Sequence, residues 1–377
     1  MLELGEKAEL LKKTDKCIRC GTCIAFCPVA RASSPVNSRY FASEGFRTPE
    51  REKHSAKNSF NCTLCMACVK VCPRGVPVPL VVEYLRSQLG EDELPTNVKQ
   101  VVDNIQDSGN VHGAEREDWL MWTYESEEPV EDRVKVPAEV GYFVGCNSAY
   151  SPSAARIPLA TIKIFRKANV DFTILGPDEN CCAAPLLMAG RLGQAKKIIE
   201  ENVKAFKDLK IKTLVTSCPA CFRMWRDVYP KITEVPFKVE HITQFISRLV
   251  EEGKIKPESV GDLRVVYQDP CELARGCGVI EEPRRALKSI PGLKLEEYNQ
   301  CKDEAICCGG GGLLRAYDQE TARNAAELKI DEAEKLRVDA IITSCPSCLQ
   351  NLLKSRSKIK IVDIAELFAG NHFHKEP

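Results

Sequence analysis

The sequence predicts an α+β protein in three parts. A helical N-terminal part is built around two cysteine runs, and two duplicated α/β lobes follow, each with a small parallel sheet. Three observations carry this. Eighteen of the twenty cysteines fall into four spaced groups. The two downstream groups repeat at an interval of 125–127 residues, and LVTSCPACF (214–222) returns as IITSCPSCL (341–349), which marks an internal duplication. Between these cysteines, short apolar runs alternate with helical patterns, the β-α-β order of a parallel sheet covered by helices.

In the first part, residues 1–125, Leu4, Leu10 and Leu11 lie on one stripe of a helix over 3–13. Leu80, Val81, Tyr84 and Leu85 mark a second helix over 79–89, and 97–106 reads as a third. No strand pattern stands out there. Residues 126–139 (SEEPVEDRVKVPAE) are acidic, carry Pro129 and Pro137 and lack periodicity. They suit a linker, or equally an ordered surface loop.

The first lobe, 140–256, opens with a strand at 141–145 that ends at Cys146. A helix over 154–168 tolerates Pro158 only near its start. Strands at 170–175 and 213–216 lead to Cys181 and Cys218, with a long helix over 186–209 between them and another from Pro219. The second lobe, 257–377, repeats the plan. It has a strand at 263–268 before Cys271, a long helix over 317–336, and a strand at 339–343 before Cys345. Each key cysteine follows a strand end, where open α/β sheets present their ligands. The duplication therefore predicts two lobes that face one another about a pseudo-twofold axis.

Cys17, Cys20, Cys23 and Cys27 with Pro28, then Cys62, Cys65, Cys68 and Cys72 with Pro73, both read C-x2-C-x2-C-x3-C-P. This is the run by which bacterial ferredoxins hold cubane [4Fe–4S] clusters, the fourth cysteine ligating the other cluster. By that rule Cys17, Cys20, Cys23 and Cys72 hold one cubane, and Cys62, Cys65, Cys68 and Cys27 hold the other. Zinc sites use two C-x2-C pairs rather than a triple ending in C-P. The downstream groups offer five thiols each: Cys146, Cys181, Cys182, Cys218 and Cys221, then Cys271, Cys307, Cys308, Cys345 and Cys348. Disulfide scaffolding belongs to small secreted chains, and adjacent Cys-Cys pairs with tight C-x2-C runs suit metal better. A cytoplasmic home in an organism of low-oxygen habit is expected.

The charge balance, 53 Lys+Arg against 53 Asp+Glu, gives no reason to expect nucleic acid as a partner. No run approaches the 20 or so apolar residues of a membrane span, so any membrane link must come through a partner subunit or a surface contact. No G-x-G-x-x-G follows a strand and no C-x-x-C-H is present, so the electron source is expected to be another protein. Cys277 and Cys301 lie outside the motifs and read as buried or free thiols, with a substrate-side role for Cys277 as the sharper alternative. His54, His112 and His241 stand alone, His241 being the one in the lobes. His372 and His374 form an H-x-H pair in a tail expected to be solvated. Trp119, Trp122 and Trp225 read as packing.

The patterns C-x34-CC-x35-C-x2-C and C-x35-CC-x36-C-x2-C are similar to the cysteine-rich CCG domain, over residues 140–369. With both ferredoxin runs in front, the whole chain resembles the D-subunit family of heterodisulfide reductase, equivalent to a fused C and B subunit pair. It is also similar to the iron–sulfur subunits of glycolate oxidase and glycerol-3-phosphate dehydrogenase. The resemblance implies that each five-cysteine set holds a noncubane [4Fe–4S] cluster, and that the two clusters split a disulfide between them. Electrons would come from a flavoprotein, cytochrome b, hydrogenase or formate dehydrogenase module and pass through the two cubanes. The substrate would be a small-molecule disulfide, CoM-S-S-CoB or similar. The competing expectation is a relay subunit of a flavin-dependent 2-hydroxy-acid or glycerol-3-phosphate dehydrogenase complex, without substrate chemistry of its own. Two complete five-cysteine sets favour the first. There is one departure: the first pair is followed by Ala183, Ala184 and Pro185, the second by Gly309 to Gly312. Glycine suits close packing around a cluster or substrate.

Overall fold

Val78, Val81, Val82 and Leu85 recur at helical spacing, and the helix Val78–Ser87 buries all four. The computed structural model describes residues 7–32, 38–126 and 129–370. His372, His374 and the start of the first expected helix lie outside them; its described part is Lys7–Thr14. A further helix, Thr96–Ser108, ends at Gly109, whose positive φ of 72° closes the last turn. Among the described residues, no strand precedes residue 140. Of segment 126–139, Val134 bridges Ile174 at the edge of the first sheet, and Val130 is buried.

Each lobe is a four-stranded, all-parallel sheet. The first contains β1 (Val140–Phe143), β2 (Phe172–Ile174), β3 (Thr213–Thr216) and β4 (Lys238–His241), in the order β2-β1-β3-β4. The second contains β5 (Leu263–Tyr267), β6 (Leu293–Glu296), β7 (Ala340–Thr343) and β8 (Lys360–Asp363), in the order β6-β5-β7-β8. The chain leaves β1 for one side of the sheet and returns on the other, so β1 and β3 flank the topological switch point where α/β sheets bind ligands. Cys146 follows β1 and Cys218 follows β3; Cys271 and Cys345 hold the same places after β5 and β7.

Pairs at equivalent positions repeat across the lobes. Tyr142 Oη lies 2.9 Å from Ser217 Oγ, and Tyr267 Oη lies 2.6 Å from Ser344 Oγ. Between lobes, Arg223 donates to Glu272 at 2.8 Å, and the equivalent pair is Gln350 with Asn147 at 3.1 Å. The helix Pro152–Lys167 packs on Ile364–Ala369, and Glu281–Lys288 packs on Ile242–Glu251. One apolar cluster draws on both sheets, including Tyr142, Val215 and Ile246 from the first lobe and Val265, Tyr267 and Ile342 from the second.

Several elements differ from the sequence expectation. The helix expected over 186–209 is two, Ala184–Met188 and Leu192–Asp208, and Gly190 between them has φ 77°. A Cβ at Gly190 would sit 2.6 Å from the backbone nitrogen of Ser87. The close approach of the N-terminal part, not local propensity, breaks this helix. The helix expected over 317–336 is present as Gln319–Leu336, its start capped by Asp318, which accepts from Thr321 N at 2.9 Å, and a separate short helix, Leu314–Tyr317, precedes it. Pro158 lies in the second turn of a helix that starts earlier than expected, at Pro152. Burial of Ile157, Ala160, Ile164 and Phe165 along it offsets the lost backbone bond.

Arg86 fastens the N-terminal part to the first lobe. Its fully buried guanidinium donates to the carbonyls of Met188, Ser59 and Cys62, each at 2.8 Å, and lies over the Phe60 ring. Burial pulls it down to about 10, so it remains charged at neutral pH. Arg86→Ala should destabilise the fold by about 3–5 kcal/mol, because buried partners are left unpaired. Thermal and denaturant unfolding of the anaerobically prepared protein will measure this.

Candidate iron–sulfur site

The spacing of two residues between cysteines works through backbone hand. In both ferredoxin runs the residues flanking the second cysteine have positive φ: Arg19 (57°) and Gly21 (83°), then Leu64 (55°) and Met66 (62°). The chain therefore curls around a hollow and turns N–H groups toward sulfur. Leu64 N donates to Cys62 Sγ at 3.4 Å and Val76 N to Cys72 Sγ at 3.5 Å. One hollow is lined by Cys17, Cys20, Cys23 and Cys72, together with Cys68, which lines both hollows. The other is lined by Cys27, Cys62, Cys65 and Cys68. The fourth cysteine of each run thus crosses to the other hollow. Cys20 is exposed, whereas Cys65 and Cys68 are buried, so the first hollow lies at the surface and the second inside.

All ten cysteines of the two five-thiol sets line one shared cavity of about 340 Å³. Cys308 Sγ lies 3.0 Å from Cys348 Sγ, and Cys271 Sγ lies 3.7 Å from Cys307 Sγ. The loops carrying the adjacent pairs are held by buried amides. Asn202 donates to Cys181 O at 3.1 Å, and Asn351 donates to Cys308 O at 2.7 Å. Cys181 N in turn donates to Gly109 O at 2.6 Å, so the end of helix Thr96–Ser108 helps to place it. Gly309 N and Gly310 N each donate to a cysteine sulfur at 3.4 Å.

The glycine run of the second lobe has a steric cause. A Cβ at Gly310 would lie 2.6 Å from Ser347 O, and one at Gly312 would lie 2.4 Å from the carbonyl carbon of Thr63. The second ferredoxin loop presses on this segment. Ala183 takes the same left-handed turn as Gly309, with φ 63° against 85°, and its methyl group is accommodated there. Cys65 and Cys307 are near neighbours, and Thr63 lines both the inner hollow and the shared cavity.

These thiols fit iron–sulfur clusters. All are free, most are buried, and they ring hollows into which backbone N–H groups point. Among the described residues, no group of three or more His, Cys, Asp or Glu side chains is arranged to hold a single metal ion. Residues 13–76 match the model of the 4Fe-4S dicluster domain, and 140–226 and 265–353 match that of the cysteine-rich domain, CCG. The chain is 31% identical to the D subunit of dihydromethanophenazine:CoB–CoM heterodisulfide reductase from Methanosarcina acetivorans, over 93% of this chain and 91% of the relative. The chain belongs to the D-subunit family of heterodisulfide reductase.

Wider relatives include the B subunit of fumarate reductase (CoM/CoB) from Methanothermobacter marburgensis. That protein is 29% identical, over 94% of this chain and 72% of the relative. EtfAB:quinone oxidoreductase of Syntrophomonas wolfei is 26% identical, over 82% of this chain and 46% of the relative. The chain is thus an iron–sulfur oxidoreductase subunit. No described helix is long and apolar enough to cross a membrane.

The cavity also gathers residues that no motif marks. His112, from the N-terminal part, lines it with Asn147, Arg315, Gln319 and Lys354. Burial, then the charge of Arg315, holds the His112 ring below its ordinary range, so it is neutral at pH 7. No local spacing signals His112, because only the folded arrangement brings it to the lobes. His241 instead lies fully buried behind the cavity as a helix cap, accepting from Thr243 N at 3.3 Å. His54 is exposed on its helix. Cys277 and Cys301 do not line the cavity; burial pushes the Cys277 thiol up to about 12. Trp225 stacks at 4.3 Å on Tyr229, and Trp119 and Trp122 pack edge to face.

Gly312→Ala should push the second ferredoxin loop off the second lobe and cost about 1–3 kcal/mol as an overpacked site, with iron lost from the protein on gel filtration. Gly253→Ala, also at positive φ but with nothing within 4 Å, should cost only the left-handed penalty of about 1–2 kcal/mol and keep full iron content.

Proposed function

We propose that this chain carries electrons from a donor subunit to the cavity between its lobes, where a small-molecule disulfide is reduced to two thiols. The observation that carries this reading is the convergence of two complete five-thiol sets on one cavity. In the overall reaction the S–S bond accepts two electrons and two protons and is released as two thiols. Bound iron–sulfur clusters would supply the one-electron transfers; the rest falls to the chain.

Cys17, Cys20, Cys23 and Cys72 form the outer cubane site, and Cys27, Cys62, Cys65 and Cys68 the inner one. Cys65 neighbours Cys307, and Arg275 bridges their loops by donating to Cys65 O and Ala305 O, which continues the path into the second lobe. Cys271, Cys307, Cys308, Cys345 and Cys348 would hold one noncubane cluster. Cys146, Cys181, Cys182, Cys218 and Cys221 would hold the other. Val101, Val111, Met188 and Leu313 make much of the remaining wall apolar and exclude water from the reacting sulfurs. His112, Arg315, Gln319 and Lys354 give the same cavity a polar side that orients a substrate. The heterodisulfide in the name of the Methanosarcina relative makes CoM-S-S-CoB or a similar disulfide the substrate to try first. The donor is a flavoprotein, cytochrome b, hydrogenase or formate dehydrogenase module, which also supplies any membrane link for a cytoplasmic subunit.

The similarity to EtfAB:quinone oxidoreductase favours a second reading, in which the chain only relays electrons between a flavoprotein and an acceptor. The two separate in one experiment. Protein reduced without air is mixed with CoM-S-S-CoB, and free thiol and EPR spectra are followed. Disulfide reduction predicts thiol release with a new substrate-dependent paramagnetic signal. No oxidation by any disulfide, with rapid reduction by a flavoprotein donor, would select the relay.

Cys345 faces Cys218 of the other lobe rather than Cys65. Cys345→Ala should therefore abolish disulfide-dependent oxidation while both cubane EPR signals still appear on reduction with dithionite.

A further inference from the structure

The two five-thiol sets are duplicates in sequence, but their charged surroundings differ. Two guanidinium groups border the second-lobe set. Arg275, one turn after Cys271, donates Nε to Cys65 O at 2.7 Å and Nη1 to the carbonyls of Ala305 and Asp303. Its Nη2 is buried without a conventional hydrogen-bond partner, and its ionisable neighbours include Cys65, Cys271 and Cys307. Arg315 borders the same set from another side. Its Nη1 donates to Gln350 Oε1 at 2.6 Å, its Nε is buried without a partner, and its ionisable neighbours include Cys308, Cys345 and Cys348.

The first-lobe set lacks both cations. Tyr150 and Ala189 stand at the equivalent positions. A buried carboxyl group, Glu179, lies beside Cys146 and Cys182 instead, accepting from Val144 N at 3.0 Å and Gly145 N at 2.6 Å. Arg223, two residues after Cys221, is neutralised by Glu272 at 2.8 Å.

We propose that Arg275 and Arg315 make the second-lobe set the electron-receiving member of the pair, by raising the midpoint potential of a centre held there above that of its first-lobe duplicate. Arg275 is in addition the positioning residue that clamps the Cys65 loop against the Cys307 loop. The inference rests on the reading that the lobe sets hold iron–sulfur clusters. Its physical basis is simple. An added electron makes a site more negative, and a cation within a few ångströms in a water-poor interior favours that state with little screening by salt. Nearby charge and hydrogen bonds to sulfur are established levers on cluster potentials. An electron arriving at the inner ferredoxin site then meets Arg275 on its way to the second lobe, and no comparable charge draws it to the first.

The test is an EPR-monitored redox titration of the full chain loaded with iron and sulfide. Arg275→Gln should lower the midpoint potentials of the inner cubane and of the second-lobe signal while leaving the outer cubane unmoved. Arg275→Lys, which keeps the charge but loses the fork, should hold both potentials near wild type. Arg315→Gln should lower the lobe signal alone. Unmoved potentials in both glutamine variants, or an equal fall in Arg275→Lys, would overturn the inference, the latter by marking Arg275 as packing only. Wild-type protein with iron confined to the ferredoxin runs would overturn the reading beneath it as well. A full complement of iron with unmoved potentials would overturn the inference alone.

Discussion

Ten thiols share one cavity, and sulfur atoms there come within 3.0 Å and 3.7 Å of one another. As bare thiolates they would repel in a medium that screens poorly. As neutral thiols they are weak hydrogen-bonding groups that give the surrounding loops little reason to hold so many left-handed turns. Bound metal would resolve the conflict by taking the negative charge, which couples cofactor loading to the stability of these loops. Much of the architecture serves that requirement: the switch point between β1 and β3 and its copy between β5 and β7, the amides of Asn202 and Asn351, and the glycine run after Cys308.

The duplication does more than supply a second set of ligands. Reciprocal contacts, Arg223 with Glu272 and Gln350 with Asn147, knit each lobe's C-x2-C helix to the loop after the other lobe's first cysteine. The same positions carry an ion pair once and an amide pair once. Neither set can move without disturbing the other, and the apolar cluster spanning both sheets locks the arrangement from behind. Divergence at charged positions then gives two duplicated sites different electrical environments.

Legibility in the sequence tracks the range of the cause. Cysteine groupings are legible because the spacing that makes a loop wrap a hollow is local, and the exchange of Cys27 and Cys72 follows from the ferredoxin rule. Central strands β1, β3, β5 and β7 stand out because they are largely buried and read as short apolar runs. Strands β4, β6 and β8 do not, since Lys238, Glu240, Lys294, Glu296 and Lys360 break the apolar signal at sheet edges. The break at Gly190 is hidden because its cause, the backbone of Ser87, lies about a hundred residues away in sequence. Thr63, His112, Arg275 and Arg315 are silent for the same reason: only the packing of the N-terminal part on the lobes, and of one lobe's loops on each other, gives them their neighbours.

Cys20 stands in solvent, while Cys65 and the ten thiols of the shared cavity are enclosed. Depth therefore ranks the centres by their vulnerability to dioxygen. On the proposed electron path, damage in air is expected to begin at the outer ferredoxin hollow and work inward, so that uptake of electrons from outside fails first, while the interior chemistry still stands intact but starved.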